Sequence, residues 1–442
     1  MMATRADVHL WGRRIGAVLW DDRRSIGTFE YEKAFISSKI EIAPLTIPLR
    51  PGPIDFPSLP SGTFHGLPGL LSDSLPDRFG NALINRWLAE QGRPEDNMDP
   101  VERLLYTGRR GMGALEFEPA TGLRREDGAP VDIAPLVELA NRVLNDRKEL
   151  VGVMAGKNQQ EALAEILRVG TSAGGARAKA VLAWNEETGE FHSGQLKAGP
   201  GYTQWLFKFD GVSKSGDHGL ADPQGFGRLE FACYRLATEA GVEMMRSRLH
   251  HEGGRAHFMT QRFDRVGDVE NGQSEKLHML SLGALRHFDF NMPRGYSYEQ
   301  ALETIRRLGL GRATLEEMVR RAIVNVVIRN QDDHVKNIAF LMDKAGTWRL
   351  APAYDVVWSH NPAGSWTNAH QMTVNGKADG FALEDLRQLG KMADLKPRQT
   401  DEILREVEAV AARWDNFVEE AEVPSRLANA ARPGFRFFLS NT

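Results

Sequence analysis

Asp332 and Asn337 stand five positions apart in the stretch NQDDHVKN, and Asp355 follows after an apolar run, IAFLM, a turn, DKAG, and a short return, WRL. These residue types at these spacings suit phosphoryl transfer. That reaction needs a carboxylate to orient the attacking hydroxyl and oxygen ligands that hold Mg²⁺ against the phosphates. The five-residue offset selects Asp332 rather than Asp333 as the orienting base, leaving Asn337 and Asp355 as metal ligands. The plain alternative is a polar loop whose acids form turns and cap helices. His334 and Lys336, in the same loop, read more simply as structural hydrogen-bond donors in support of it.

Two further segments bear on phosphate chemistry. Lys208 is the basic residue of WLFKFD, and strand alternation turns it away from Trp205, Phe207 and Phe209. It is therefore either an edge gatekeeper or a phosphate contact facing a cleft. Glu230, early in the next helix, is a candidate partner for it. GTSAGGARAK, 170–179, is glycine-rich but is neither a Walker A box nor G-x-G-x-x-G. Its backbone amides could cradle phosphates beside Arg177 and Lys179, but taken alone it reads more simply as an ordinary flexible loop.

The elements that must position these groups are legible in outline. The first 50 or so residues alternate as strands, and 46–68 reads as an extended loop rich in proline and glycine. A helix is expected from a Ser74 cap, with Pro76 in its first turn, to Gly92. Helical patterns cover 133–150 and 158–169, and VLAW–NEETGE–FH reads as a hairpin. Apolar or small residues at 229, 232, 233, 236, 237 and 240 form one helical stripe. A helix over 315–329, with Thr314 and Glu317 as a capping box, leads into the Asp332 loop. Strands early and helices late imply an α+β, bilobal molecule with a cleft between its lobes.

Composition bounds the alternatives. A chain of 442 residues exceeds one ordinary core, so two or three subdomains are expected. The net charge of −4 supplies no global attraction to nucleic acid. A single cysteine, Cys233, leaves no intramolecular disulfide and no cysteine-cluster metal site. No apolar run approaches the ~20 residues that span a bilayer. MMATRADVHLWGRR mixes charge throughout and lacks a signal-peptide core, so a cytoplasmic protein without membrane contact is expected.

GTSAGGARAK with its hairpin, WLFKFD, QRFDR at 261–265, NQDDHVKN and LAPAYDVV occur in an order that resembles the HipA family of serine/threonine kinase toxins. GLLSDSLPDRFGNAL is similar to part of the domain that precedes the kinase core in that family. The resemblance implies a protein-kinase-like fold: an N-terminal subdomain over 1–125, the rest of an N-lobe over 126–265, and a helical C-lobe over 266–442. It implies ATP and Mg²⁺ as cofactors, with Asp332 as catalytic base and Asn337 and Asp355 as metal ligands. It places Lys208 on ATP phosphates, Ser172, Ala173, Gly174 and Gly175 around the nucleotide, and the backbone of Gln261, Arg262 and Phe263 at the adenine. Ser172, with Thr171 as rival, falls at the autophosphorylated position, where added phosphate would eject the loop. A HipB-like helix-turn-helix antitoxin, DNA bound mainly through it, and a protein substrate such as an aminoacyl-tRNA synthetase are further implications. The stretch 280–300 departs from the best-known members. A small-molecule phosphotransferase and a non-catalytic bridging corepressor are the competing readings.

Overall fold

The computed structural model describes residues 4–90, 92, 98–121, 131–145, 177–194, 199–212, 224–267 and 274–439. The chain opens with an antiparallel four-stranded sheet in the spatial order Ile26–Tyr31, Arg13–Asp21, Arg5–Leu10, Leu115–Glu118. Alternation sends Ala6, Val8, Leu10, Val18, Phe29 and Tyr31 into the core. The loop 46–68 is extended as its composition predicts, except for a single helical turn, Ser61–Phe64. Ile54 ties it down by exchanging two backbone hydrogen bonds with Phe29.

A five-stranded antiparallel sheet follows, ordered Phe191–Ser193, Lys179–Asn185, Tyr202–Lys208, Arg255–Gln261, Ser247–Glu252. The predicted hairpin supplies its first two strands. One face is covered by the helices Arg78–Glu90 and Ile133–Asn145, with Phe79, Leu83, Leu136 and Ala140 packed against Trp205, Phe207 and Met259. The remainder of 133–150 and all of 158–169 lie outside the described residues.

Two expected helix starts are corrected. Ser74 does not cap the helix toward Gly92; its N–H closes the preceding turn on Leu71. Asp77 occupies the cap position instead, its carboxylate accepting from Gly80 N at 2.6 Å, and the helix runs from Arg78. The long helix begins at Arg312, so Thr314 lies inside it and no capping box forms. Glu317 is drawn to Arg321 at 2.7 Å and to the backbone N–H of Glu243 at 3.1 Å. At the first start a better-placed local cap wins; at the second an i+4 arginine and the distant Glu243 N–H take the carboxylate.

The C-terminal half is helical around Arg312–Ile328, as the late helical patterns predict. A three-stranded sheet, ordered His278–Ser281, Ala339–Met342, Trp348–Leu350, lies at the cleft side. The predicted stripe of the 229–240 segment belongs to the helix Phe226–Glu239. Leu229, Ala232, Cys233, Leu236 and Ala237 are buried in the core shared with Trp414 and Phe417. This helix can lie close to the five-stranded sheet because position 227 is glycine: a Cβ there would sit 2.3 Å from the Ala256 carbonyl oxygen.

Buried imidazoles make this fold acid-sensitive. His278 is fully buried, with Nε2 donating to the Ile42 carbonyl at 2.8 Å, and burial lowers its pKa from 6.5 to about 4. His257, equally buried, is lowered to about 3, chiefly by burial and then by His250 and Arg255. The unfolded chain therefore binds protons that the folded chain does not as pH falls below 6.5. Stability present above that pH is lost progressively toward pH 4. Urea titrations should show roughly 2 kcal/mol lost per such imidazole between pH 7 and pH 5. A flat stability–pH curve over that window would contradict neutral burial of these rings.

Candidate active site

Lys208 ends the central strand of the five-stranded sheet. Pairing in that strand seats Trp205 and Phe207 in the N-lobe core and turns Lys208 to the opposite face, as alternation predicts. Two residues on, Asp210 fastens the next helix. Its carboxylate accepts from Gly225 N at 2.9 Å and from Gly227 N at 3.2 Å, with Gly225 in the left-handed region at φ +98°. The strand end and helix start are thereby locked together. Glu230, one turn into the helix, then meets Lys208 at 2.5 Å.

Lys208 Nζ also reaches the carboxylate of Asp355, which arrives from beyond the C-lobe hairpin. Burial alone would lower the lysine's pKa, but Asp355 and Glu230 outweigh it and raise it, so the ammonium stays charged. Burial acts to raise the Asp355 pKa; Lys208 and then Lys179 overcome it and hold the carboxyl well below its usual range. Glu230 carries a second cation, Arg177, at 3.1 Å, and that guanidinium stacks 3.7 Å over the Phe226 ring. Glu230, the candidate partner of Lys208, is thus 2% exposed and paired with it.

The Asp332 loop is shaped by the helix end. Arg329 adopts φ +54° and stops the helix Arg312–Ile328. His334 N–H donates to Asp332 O, Asn337 N–H to His334 O, and Asn337 Nδ2 to Asp332 O at 2.9 Å. Committing the Asn337 amide nitrogen leaves its oxygen as the free end of the group. The neighbouring acids separate cleanly. Asp333 is buried and saturated by Tyr298 Oη at 2.8 Å, His370 Nδ1 at 2.9 Å and Gln371 N at 2.8 Å. Asp332 keeps 41% of its side chain exposed. The spacing argument and the burial therefore favour the same acid. Asn330 Nδ2 bridges the loop to the Asp355 carbonyl at 3.2 Å, and Asp355 itself holds φ +54°, a conformation tolerated by few non-glycine residues.

His334 and Lys336 flank this arrangement. Burial lowers the His334 pKa, the charges of Asp332 and Asp355 opposing it in part. Lys336 projects 4.4 Å over the Phe290 ring, and its carbonyl accepts from Tyr354 Oη at 2.6 Å. Phe290 brings the 280–300 stretch beside this loop.

Gln261, Arg262 and Phe263 leave the sheet toward the C-lobe. The Gln261 N–H donates to Arg246 O and the Arg262 N–H to Gln204 O. The Arg262 side chain is fully buried in a two-point pair with Asp264, at 2.9 and 2.7 Å. Asp264 also accepts from Arg265 at 2.7 Å and from Gly113 N at 2.6 Å, clamping this connector to the N-terminal domain. With its N–H on Gln204 and its side chain on Asp264, Arg262 keeps only its backbone carbonyl uncommitted by these contacts. The Phe263 ring packs against Tyr354 at 5.5 Å. Thr171, Ser172, Ala173, Gly174 and Gly175 lie outside the described residues.

Hard oxygen donors and an ionised carboxylate are what Mg²⁺ selects, so Asn337 and Asp355 fit that ion. Sequence reasoning missed Trp366, whose indole N–H donates to Asp332 Oδ1 at 2.7 Å. It also missed the Lys179–Asp77 pair, 3.8 Å apart and buried, which joins the sheet to the helix Arg78–Glu90. No periodicity or spacing marks either pair, because each joins segments far apart in sequence.

Residues 6–118 match the HipA N-terminal domain, and 171–414 match the HipA-like C-terminal domain. A curated relative from Sinorhizobium fredii, named "Putative kinase Y4mE", is 28% identical over 128 residues, covering 28% of this chain and 30% of that protein. Among solved structures, the chain is similar to one in the Shewanella oneidensis MR-1 toxin–antitoxin complex of HipA, HipB and operator DNA. That likeness has a TM-score of 0.67 and 19% identity over 97% of this chain and 95% of that one. A Helicobacter pylori proinflammatory kinase, CtkA, overlaps 50% of this chain and 90% of its own at TM-score 0.29 and 10% identity, too slight a likeness to weigh. Since the two matched domains account for most of the sequence, in the order in which the bilobal fold uses them, the chain belongs to the HipA family.

Proposed function

We propose that this chain is an ATP- and Mg²⁺-dependent serine/threonine protein kinase, the toxin of a HipBA-like pair. The observation that carries the reading is the contact of Lys208, paired with Glu230 in its own lobe, across the cleft to Asp355, beside an exposed Asp332. In the proposed reaction Asp332 orients a serine or threonine hydroxyl and accepts its proton as the oxygen bonds to the γ-phosphorus of ATP. The bond from that phosphorus to the β–γ bridging oxygen breaks, and ADP leaves. Lys208, aligned by Glu230, neutralises phosphate charge. Asn337 and Asp355 would hold Mg²⁺, which when bound supplies further neutralisation of the developing charge.

Autophosphorylation at Ser172, or at Thr171, would switch the kinase off. A HipB-like helix-turn-helix antitoxin, DNA contacted mainly through it, an aminoacyl-tRNA synthetase as substrate and a cytoplasmic location complete the proposal. No helix among the described residues is long and apolar enough to cross a membrane.

Intact-mass and peptide mass spectrometry after incubation with Mg²⁺ and ATP tests it, with Asp332→Asn alongside. The expected result is one added phosphate on Ser172 or Thr171 in the wild type alone. ATP binding without protein phosphorylation would point to a small-molecule phosphotransferase, and absence of both to a bridging corepressor.

A further inference from the structure

Beyond Asp355 the chain does not leave the site. Residues 356–371 fold back and are laced to the Asp332 loop along its length. Gln331 N–H donates to Ser359 O and Ser359 N–H to Arg329 O, while His360 Nδ1 donates to the Gln331 side-chain oxygen at 2.5 Å. At the far end Gln371 donates through its backbone to Asp333 and through Nε2 to Trp366 O at 2.5 Å. Trp366 is thereby fixed on both sides, 6% exposed, with its indole N–H on Asp332 Oδ1 at 2.7 Å.

The geometry points to Trp366 as a positioning residue for the acceptor-side base: its N–H pins one oxygen of Asp332 and so aims the other at the incoming hydroxyl. The chemistry favours the indole for this task. A tryptophan N–H is a donor only and carries no charge, so it fixes the carboxylate without supplying a rival proton acceptor. A lysine or arginine in its place would stabilise the carboxylate further and weaken it as a base. Trp366 also makes the aim of the base depend on how the 356–371 segment is seated. Any contact that shifts that segment would shift the base with it. This role rests on the proposed kinase reading.

Trp366→Phe keeps one six-membered aromatic ring and removes the N–H donor with the rest of the indole. A hydrogen bond to a charged group is involved, so kcat for Mg²⁺-ATP-dependent transfer should fall about ten- to hundredfold. KM for ATP should remain within error, and the melting temperature should fall only modestly, as trimming a buried side chain requires; a merely structural role would lower ATP affinity together with turnover. Added to Asp332→Asn, the same change should cost nothing further, since it acts through the carboxylate. An unchanged kcat, or a loss accompanied by equal loss of ATP affinity and stability, would overturn the role. A second measurement is independent of activity. The ¹⁵N-indole resonance absent from Trp366→Phe should shift in Asp332→Asn, and an unmoved resonance would refute the contact. Should Asp332→Asn itself leave transfer intact, the assignment of Asp332 as the base fails, and this role with it; absence of any phosphoryl transfer by the wild type would instead sink the kinase reading, whatever the resonance reports.

Discussion

Asp332→Asn is expected to lower phosphoryl transfer by about a hundred- to ten-thousandfold while leaving ATP affinity and the melting temperature close to those of the wild type. The size follows from the usual contribution of a positioned general base. The selectivity follows from where the residue sits. Asp332 keeps 41% of its side chain exposed and receives one strong hydrogen bond, from Trp366, which an amide oxygen can also accept. Asparagine is nearly isosteric, and the Asp332 carbonyl that organises Asn337 is backbone, untouched by the change. Asp333→Asn is the instructive contrast. It strikes a buried acid holding Tyr298, His370 and Gln371, so its signature should be lost stability rather than a clean loss of turnover. Single-turnover transfer with thermal melts on both variants separates the outcomes. A twofold effect at Asp332 would mark it as peripheral.

Lys208→Met should have a large effect of a different kind, lowering stability and nucleotide affinity together. The ammonium is the shared partner of Glu230, 2% exposed, and Asp355, 31% exposed. Methionine matches the stem of the lysine but leaves two carboxylates facing each other. One partner of a buried pair removed costs about 3–5 kcal/mol, and the partial exposure of Asp355 argues for the lower end. Arg177 still neutralises Glu230 at 3.1 Å, which limits the damage on that side. Chemical denaturation measures the first effect and a fluorescent ATP analogue the second. With the lysine gone, Asp355 loses its chief stabiliser, so the variant should recover stability as pH falls into the carboxylate range, opposite to the histidine effect described above. A variant as stable as the wild type at neutral pH would show that the Lys208 contacts contribute little.

Much of this was legible before any coordinates. Strand alternation turns Lys208 away from Trp205, Phe207 and Phe209 and leaves gatekeeper and cleft contact both open, and a 3.6-residue period marks the buried stripe of the helix Phe226–Glu239. Both periodicities are properties of the local backbone, so a single segment carries the signal. Asp332, Asn337 and Asp355 were legible because one loop and one hairpin separate them, and short connections restrict how far such residues can diverge. Helix starts were less legible. Ser74 and the Thr314–Glu317 pair had the right residue types for capping, but Asp77 and Arg321 offered closer partners once the chain had folded.

What only the tertiary structure decided is which groups meet across large separations. Lys208, Glu230 and Asp355 converge because Asp210 locks a helix to a strand end and the C-lobe hairpin delivers the acid from 147 positions away. Trp366 reaches Asp332 because a 16-residue segment is laced back along its loop. Arg262, a candidate nucleotide neighbour in sequence, is claimed by Asp264 and turned inward. Side-chain type and spacing determine what a residue can do; which partner it does it with depends on burial, where a charge must find its opposite or leave the interior.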